Sequence, residues 1–230
     1  SPKCIYSPNY GVTSRRIPSV VTVPDTIMER FPEYYSPSRF AIRRLLARKR
    51  QSIERADLIL AVSRQTADDV VCFYPRVSPQ RIVFTPLGAE QPFFDAGEGP
   101  ATAEPYFLFV GDRGLYKNFT ALIQGFALSG LARRGYRVRT ISTIPFTAAE
   151  QQEIAGAQLE GAVEMATAPT DADLARHYHH ATAFVFPSLA EGFGMPTVEA
   201  LAAGTLVLAA DTPVMCEVGG RAVVYFDAAD

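Results

Sequence analysis

Residues 184–220 read FVFPSLAEGFGMPTVEALAAGTLVLAADTPVMCEVGG. An apolar run ends at Pro187, a glycine-rich loop follows, and a helical pattern begins near Met195–Pro196. Proline fits the first turn of a helix, where its missing amide hydrogen is harmless. A second short apolar run follows at Thr205–Ala209. This order predicts parallel strands joined by a crossover helix.

The same alternation extends along the rest of the chain. Short apolar runs rich in Val, Ile and Phe predict further strands at Val20–Val23, Leu58–Val62, Ile82–Thr85, Tyr106–Val110, Val138–Ile141, Ala183–Phe186 and Ala222–Phe226. Helical patterns lie at 38–56, 63–74, 118–132, 147–157, 171–181 and 195–203, and Ser63 is the predicted cap of the second. The predicted fold class is therefore α/β, with parallel sheets covered on both faces.

One stretch interrupts this rhythm. Residues Pro86 to Pro105 are rich in proline, glycine and acidic side chains, a composition typical of linkers. We therefore predict a domain boundary near residue 95, with one parallel-sheet domain at 1–95 and another at 96–230. Ligands of such proteins usually bind at the carboxyl ends of the strands, so a crevice there is the expected site.

Composition narrows the class of protein. The 230 residues are 48% apolar and 20% charged with a net charge of -2, which is ordinary for a globular chain and gives no global argument for nucleic acid. No apolar run is long enough to span a membrane. Three widely spaced cysteines favour a reducing compartment over a disulfide framework: Cys4, Cys72 and Cys216. Because the chain starts without methionine and stops after a predicted strand, we expect a fragment.

A chemical motif follows the predicted strand Tyr106–Val110, in the stretch VGDRGLYKN. Gly111 lets the backbone turn sharply, and Arg113 and Lys117 lie in the loop and at the start of the next helix. A helix N-terminus favours anions, so a guanidinium and an ammonium beside it predict a diphosphate site. The alternative interpretation is a solvated turn with two surface cations.

The glycine-rich loop of the first stretch holds Glu191, Gly192, Phe193 and Gly194, and Glu199 follows inside the helix. Glycines let a ligand approach the backbone and aim amides at an oxyanion. The spacing of the two glutamates suits carboxylates that hold two parts of one elongated polyol, and it does not establish the acid–base pair of a glycosidase. The alternative interpretation is a helix with a glycine-rich entry and two exposed acids.

The predicted helix from Ser38 to Ala56 has an apolar stripe and a basic surface. The stripe consists of Ile42, Leu45, Leu46, Ile53 and Ala56. Seven basic residues accompany one acid, Glu54: Arg39, Arg43, Arg44, Arg48, Lys49, Arg50 and Arg55. Most are expected to face solvent, and contact with anionic lipid is the sharper alternative. Nucleic acid is not indicated, because no aromatic interleaving or binding motif accompanies the charge.

A histidine cluster near residue 178 carries less information. Its members are His177, His179 and His180. No cysteine or carboxylate stands at a spacing that would complete a set of ligands around them, so no metal site is predicted.

These segments resemble glycosyltransferase family 4, a family of retaining enzymes with the GT-B fold. EGFGMPTVE, from Glu191 to Glu199, resembles the family's E-x7-E motif, and VGDRGLYKN resembles its phosphate-binding segment. EVGGRAVVYFDAAD resembles the E-x-x-G-x-A-x-x-x-x-P-x-D ending, with Ala228 where proline is usual. Upstream, RADLILAVSRQTADDV and RIVFTPLGAE resemble the last strand–helix–strand of the family's first domain. The resemblance covers nearly the whole chain, in the family's order.

The resemblance implies two Rossmann-like domains facing a cleft, an incomplete acceptor-side domain and a donor-binding C-terminal domain. Arg113 and Lys117 would bind the donor diphosphate, and the expected catalytic residues are these two and Glu191, which would hold the transferred sugar. Glu199 would hold the ribose hydroxyls. The implied donor-binding residues are Gly111, Arg113, Lys117, Glu191, Gly192, Phe193, Gly194 and Glu199.

The resemblance also implies a reaction and its partners. A hexose, mannose being one candidate, would pass with retention from a GDP- or UDP-sugar to a glycan or lipid-linked acceptor. No metal or cofactor would be needed, and the enzyme would be cytoplasmic or peripheral at the inner face of the membrane. The segment VVTVPDTIMERFPEYYS departs from the family pattern, with Pro24 where histidine is usual before Asp25. The alternatives are a non-catalytic GT-B module that binds nucleotide sugar and another GT-B enzyme, such as a sugar-nucleotide epimerase.

Overall fold

The structure of the chain is a computed structural model, which describes residues 3–11, 16–35, 39–97 and 104–228. The chain divides into two compact units, Ser1–Leu87 with Glu191–Phe193 and Gly88–Ala190 with Gly194–Asp230. This division falls before the boundary predicted near residue 95, because Phe93 is buried in the core of the second unit. Residues 98–103 of the predicted linker lie outside the described residues.

The first unit contains four parallel strands in the order β1-β2-β3-β4. Its core gathers apolar side chains from the strands and from two helices, among them Val21, Ile53, Ile59 and Val70. Its elements are β1 (Ile5–Ser7), β2 (Ser19–Val23), α1 (Ile27–Arg30), α2 (Arg39–Arg55), β3 (Leu58–Ala61), α3 (Arg64–Phe73) and β4 (Ile82–Phe84). The predicted cap of α3 is confirmed, since the Ser63 hydroxyl accepts the amide of Thr66 at 3.0 Å.

Helix α2 corrects two expectations. Leu45 was predicted to lie on the buried stripe, but it is 44% exposed. Lys49 was expected to face solvent with the other basic residues, but its side chain is fully buried. The buried face of α2 is rotated from the predicted stripe toward Lys49, Ser52 and Ile53. Burial of Lys49 is possible because its ammonium lies 2.7 Å from the Glu29 carboxylate.

The second unit is a six-stranded parallel sheet with helices on both faces. The strand order is β10-β9-β8-β5-β6-β7. Its elements are α4 (Gln91–Phe94), β5 (Tyr106–Val110), α5 (Phe119–Ser129), β6 (Arg137–Ile141), α6 (Ala148–Gly156), β7 (Val163–Ala166), α7 (Asp171–His179), β8 (Ala183–Phe186), α8 (Met195–Ala202), β9 (Val207–Ala210), α9 (Pro213–Gly219) and β10 (Val223–Phe226).

The order of these strands reverses between β5 and β8. Strands β6 and β7 continue away from β5 on one side, and β9 and β10 continue away from β8 on the other. In an open parallel sheet, ligands bind at this switch point, outside the carboxyl ends of the two central strands. The loops that follow β5 and β8 are therefore the part of the second unit that topology favours for binding.

The two faces of this sheet bury separate apolar clusters. One cluster surrounds Tyr178, Phe184 and Met215, and the other surrounds Phe109 and Ile123. The α/β class with two parallel, Rossmann-like sheets is confirmed. The sequence patterns missed β1, β7 and the short helices α1, α4 and α9, which carry too few apolar residues to form a clear period.

Candidate functional site

The loop after β5 begins at Gly111, whose backbone has a φ of +115°. An L side chain rarely adopts this conformation, so glycine is required where the chain leaves the sheet. The Gly111 amide donates to the Ile141 carbonyl of the adjacent strand at 2.9 Å, which fixes the start of the loop. A short 3-10 turn, Leu115–Lys117, then leads into α5.

Arg113, in this loop, has a side chain that is only 2% exposed. Its Nε donates to the Glu150 carboxylate at 2.8 Å, and its Nη2 donates to the carbonyls of Ile144 and Pro145 at 2.7 and 2.8 Å. The guanidinium also lies 4.7 Å from the ring centroid of Phe146. Among the described residues, Nη1 has no hydrogen-bond partner although it is buried.

These contacts narrow what Arg113 can offer a ligand. The sequence predicted that the Arg113 guanidinium contributes to a diphosphate site, but its Nε and Nη2 are already bound within the chain. The nitrogen left for a ligand is Nη1. Glu150 belongs to a capping box with Thr147 at the start of α6, so Arg113 also holds that helix entry in place.

The carboxylate of Glu150 shows the electrostatic result. Partial burial alone would raise its pKa, but hydrogen bonds from Thr147 and Arg113 stabilise the charged form, and the pKa is lowered. The Glu150 carboxylate is therefore ionised at neutral pH, and its hydrogen bond fixes the position of the Arg113 side chain.

Lys117 connects the two loops at the switch point. Its Nζ lies 5.3 Å from the ring centroid of Phe186, the last residue of β8. The backbone makes a second link, because the Leu189 amide donates to the Tyr116 carbonyl at 2.8 Å. The structure thus brings Lys117 to the carboxyl end of β8, next to the strand that precedes its own loop.

The loop after β8 contains a site residue that the sequence analysis did not single out. Ser188 is fully buried, and its Oγ has no hydrogen-bond partner among the residues described. Residues 111–118 and 187–190 are hereafter the switch-point loops. In the part of the chain that the structure describes, these loops contain two buried side-chain polar atoms without a hydrogen-bond partner, Arg113 Nη1 after β5 and Ser188 Oγ after β8.

Gly194 lies where α8 begins, with a φ of +87°. An L side chain is strained at this φ, and a Cβ would also lie 2.3 Å from the Met215 Cε, which would have to shift. Pro196 occupies the first turn, as predicted, and no side chain caps the helix. An oxyanion can take the place of a capping side chain at such a helix start.

Glu199, one turn further along α8, is half-buried and accepts a hydrogen bond from the Tyr178 hydroxyl at 3.0 Å. Burial raises its pKa most, the Tyr178 hydrogen bond lowers it, and the charges of Asp171 and Glu90 raise it. The net shift is upward. Tyr178 lies inside the histidine-containing segment, where no sequence signal distinguished it.

Glu191, Gly192 and Phe193 group with the first unit. The Gly192 carbonyl accepts the Thr66 hydroxyl at 3.2 Å. A Cβ on Gly192 would lie 1.8 Å from the Pro24 carbonyl oxygen, so glycine is required by contact rather than by dihedral angle. Of the predicted site residues, the structure therefore places Gly111, Arg113, Lys117, Gly194 and Glu199 in the second unit and the remaining three in the first.

Other features bear on the range of possible chemistry. Within the described ranges, no three His, Cys, Asp or Glu side chains are arranged to hold a metal ion. Over the same ranges, the helices are all too short or too polar to cross a bilayer. An apolar groove of about 330 Å³ lies beside α5, lined by Phe107, Leu122, Phe126, Val185 and Phe226, and no predicted site residue lines it.

Comparison with known proteins agrees with this architecture. The sequence profile of the family described as "Glycosyl transferases group 1" matches residues 90–225. The O-antigen chain mannosyltransferase B of Escherichia coli is 27% identical over 244 aligned residues, which cover 98% of this chain and 61% of that protein. The chain thus spans about three fifths of the length of this relative.

Two solved structures show the same fold. Sucrose-phosphate synthase from Thermosynechococcus elongatus superposes with a TM-score of 0.75 at 18% identity, covering 99% of this chain and 61% of that one. HepE of Anabaena, solved in complex with UDP, has a TM-score of 0.64 at 18% identity, covering 92% of this chain and 59% of that one.

Proposed function

We propose that this chain, which belongs to the group 1 glycosyltransferase family, carries the donor site of an enzyme that transfers a hexose from a nucleotide sugar to a glycan or lipid-linked acceptor. The observation that carries the proposal is a pair of buried side-chain atoms in the switch-point loops, Arg113 Nη1 and Ser188 Oγ, which have no hydrogen-bond partner among the described residues. Buried polar groups almost always have a hydrogen-bond partner. Two such atoms in the switch-point loops therefore favour a polar ligand there.

The charge around these atoms favours a diphosphate. Lys117 lies in the same loop as Arg113, and α8 begins at the uncapped Gly194. Two cations and a helix N-terminus would stabilise the negative charge that develops on a departing nucleoside diphosphate. This chain's own groups would thus provide the electrostatic stabilisation, and a metal is not part of the proposal.

The two glutamates complete the proposed donor contacts. Glu199 would accept hydrogen bonds from the ribose hydroxyls, and Glu191 would accept them from hydroxyls of the transferred sugar. Transfer with retention of configuration is part of the same proposal and follows from the E-x7-E resemblance. The amides of Gly192, Phe193 and Gly194 would line the sugar and phosphate.

The identity of the donor is proposed from relatives. The E. coli relative is named a mannosyltransferase, which supports mannose as the transferred sugar. We propose GDP as the nucleotide that carries it. The UDP bound to the Anabaena protein supports a uridine nucleotide as the alternative. Titration calorimetry of this chain with GDP and UDP would decide between them.

The sharpest binding test pairs two cation substitutions in the second unit. Lys117→Ala is expected to weaken binding of the preferred nucleotide about tenfold, since a charge-assisted phosphate contact of roughly 1.4 kcal/mol is lost. Arg133→Ala removes an exposed cation outside the switch-point loops and is expected to leave affinity unchanged. Absence of binding, or an equal loss in both variants, would contradict the proposed diphosphate site.

Catalysis is tested by incubating the protein with a nucleotide sugar and a glycan or lipid-linked acceptor. An enzyme is expected to release nucleoside diphosphate and to form a product with the donor's anomeric configuration, which NMR reads directly. A non-catalytic module would bind the nucleotide sugar without releasing diphosphate. An epimerase would convert the donor sugar without transfer to any acceptor.

Helix α2 supports a further part of the proposal, peripheral contact with an anionic membrane at the cytoplasmic face. Arg43, Arg44, Arg48 and Arg55 are exposed on this helix, and exposed Leu45 adds an apolar contact. Sedimentation with phosphatidylglycerol vesicles is expected to decrease strongly in Arg43→Glu/Arg44→Glu/Arg48→Glu and at high salt. The matched variant Arg133→Glu/Arg134→Glu is expected to sediment normally, and equal behaviour would favour a merely solvated helix.

A further inference from the structure

The side chain of Tyr178 is completely buried inside the second unit. Its ring makes edge contacts with Phe184 and Phe93, at centroid distances of 5.3 and 6.1 Å. Its backbone carbonyl accepts the Thr205 hydroxyl at 2.7 Å. The ring therefore has one orientation, and this orientation directs its hydroxyl to Glu199 Oε2 at 3.0 Å.

The Glu199 carboxyl group is held by one hydrogen bond and repelled by two other carboxylates. The described structure records one hydrogen bond to the carboxylate, the bond from Tyr178 to Oε2. Asp171 and Glu90 act on it from α7 and from the turn before α4, and both repel its negative charge. Tyr178 is therefore the hydrogen-bond donor that holds this half-buried carboxylate in position.

We propose that Tyr178 is a positioning residue that fixes Glu199, so that the free Oε1 accepts the ribose 2′-hydroxyl and the site selects ribonucleotides over 2′-deoxyribonucleotides. The inference rests on the proposed function, because it takes Glu199 as the ribose ligand. Tyr178 is fully buried and acts only through Glu199.

The physical basis is preorganisation. A carboxylate that must first be immobilised loses part of the free energy of each hydrogen bond that it then forms. With Oε2 fixed by Tyr178, Oε1 is already placed when the nucleotide arrives. A site that is built to hydrogen-bond a hydroxyl also rejects an analogue without it, because its own polar atom is then left unpaired.

The substitution that isolates this role is Tyr178→Phe. It removes one oxygen atom and keeps the ring contacts with Phe184 and Phe93. The probes are GDP, UDP and their 2′-deoxy forms, and the quantity measured is the ratio of the two dissociation constants, deoxy to ribo. We expect Tyr178→Phe to reduce this ratio about three- to tenfold, mainly by weakening the ribonucleotide.

The pH dependence provides a second measurement that a merely structural tyrosine would not change. Because the hydrogen bond from Tyr178 lowers the pKa of Glu199, its removal raises that pKa further. Ribonucleotide binding needs the ionised carboxylate and is therefore lost as the pH falls. This loss should begin at a higher pH in Tyr178→Phe than in the native chain. Asp171 and Glu90 remain in both proteins, so their repulsion is common to the comparison.

Tyr106→Phe is the matched control. Tyr106 is also buried, and its hydroxyl donates to the His177 carbonyl at 2.8 Å instead of to Glu199. Its substitution is expected to reduce stability and to leave the deoxy-to-ribo ratio and the pH profile unchanged. An equal change in the ratio for both tyrosines would overturn the inference.

Glu199→Gln separates the inference from the function beneath it. If Glu199→Gln reduces the ratio and Tyr178→Phe does not, the positioning role is wrong and the ribose role of Glu199 stands. If Glu199→Gln leaves the ratio unchanged, the ribose role of Glu199 is wrong, and the inference with it. If the native chain binds neither nucleotide, the proposed donor site itself is overturned.

Discussion

Two regions of the molecule differ in whether the described chain supplies a hydrogen-bond partner for every polar side chain that they bury. In the first unit, the Lys49 ammonium lies 2.7 Å from the Glu29 carboxylate and 2.9 Å from the Asp25 carbonyl. Glu29 also accepts the Tyr74 hydroxyl, and Tyr10 places its ring 4.3 Å from the ammonium. We call these five residues the Lys49 cluster. Each polar group that it buries has a partner within the chain.

The switch-point loops of the second unit differ in this respect. Arg113 uses two of its three guanidinium nitrogens within the chain, and Nη1 is left over. Ser188 is fully buried, and its hydroxyl has no hydrogen-bond partner within the described ranges. The fold accounts for every buried polar group of the Lys49 cluster, whereas Arg113 Nη1 and Ser188 Oγ keep hydrogen-bonding capacity that we propose a ligand uses. The contrast separates residues that hold the fold from residues that are proposed to hold a substrate.

The largest expected effect comes from breaking the satisfied cluster. Lys49→Ala would leave the Glu29 carboxylate buried without its cation, and we expect a loss of about 3–5 kcal/mol in the free energy of unfolding. Urea denaturation followed by circular dichroism measures this loss. Arg48→Ala, at the neighbouring exposed position on α2, is expected to change stability by less than about 0.5 kcal/mol. Similar values for the two variants would remove the distinction between the cluster and the surface.

A pair of serines tests the comparison directly. Ser52 and Ser188 are both buried, but the Ser52 hydroxyl donates to the Gly11 carbonyl at 3.0 Å, whereas that of Ser188 has no partner in the described chain. Ser52→Ala is expected to cost about 1 kcal/mol of stability and to leave nucleotide affinity unchanged. Ser188→Ala loses no hydrogen bond of the folded chain, so its cost should stay below about 0.5 kcal/mol.

Nucleotide affinity should show the opposite pattern. If the Ser188 hydroxyl contacts the bound ligand, Ser188→Ala weakens GDP or UDP binding about three- to tenfold, the equivalent of one hydrogen bond. Calorimetric titration of both variants gives this number beside the unfolding data. A large stability loss in Ser188→Ala with native affinity would show that the serine belongs to the structural class.

Much of this organisation could be predicted from local sequence. The central strands have continuous apolar runs, so β5 and β8 were predicted with the bounds that the structure shows, Tyr106–Val110 and Ala183–Phe186. Strand β7, Val163–Ala166, was missed, because its half-buried residues include a glutamate and give no apolar run. Helix α9, Pro213–Gly219, was missed because its 7 residues are too few to show a clear helical period.

The partners of the site residues could not be predicted in this way. Glu150, which binds Arg113, lies 37 positions further along the chain, and no local pattern indicates the pairing. Tyr178 meets Glu199 across 21 positions. Lys49 looked like its basic neighbours, and only packing against Glu29 distinguishes it. Sequence patterns thus predicted the loops of the proposed site, while the three-dimensional structure was needed to show which of their side-chain atoms have partners within the described chain.

The smallest expected effect is a pH-dependent change in the free energy of unfolding. Its direction is opposite for two glutamates of the second unit, Glu150 and Glu199. The folded-state pKa of Glu150 is lowered, since hydrogen bonds from Thr147 and Arg113 outweigh its partial burial. The stability that it contributes is therefore present above the unfolded value of about 4.5 and is lost as the pH falls through the folded value. Glu150→Gln should destabilise the chain at pH 7, and the difference should shrink as the solution is acidified.

Glu199 should behave in the opposite way. Its folded-state pKa is raised, chiefly by burial, so its contribution to stability is present below the unfolded value and is lost as the pH rises through the folded value. Glu199→Gln should therefore spare or increase stability at pH 7 while it weakens ribonucleotide binding. Denaturation of the native chain and of both variants at several pH values from 3 to 8 would give the stability change of each variant as a function of pH. The slope of that change against pH is the quantity compared. Slopes of the same sign would mean that Glu199 is held as a structural carboxylate like Glu150, because a residue kept charged for a ligand costs stability when the ligand is absent.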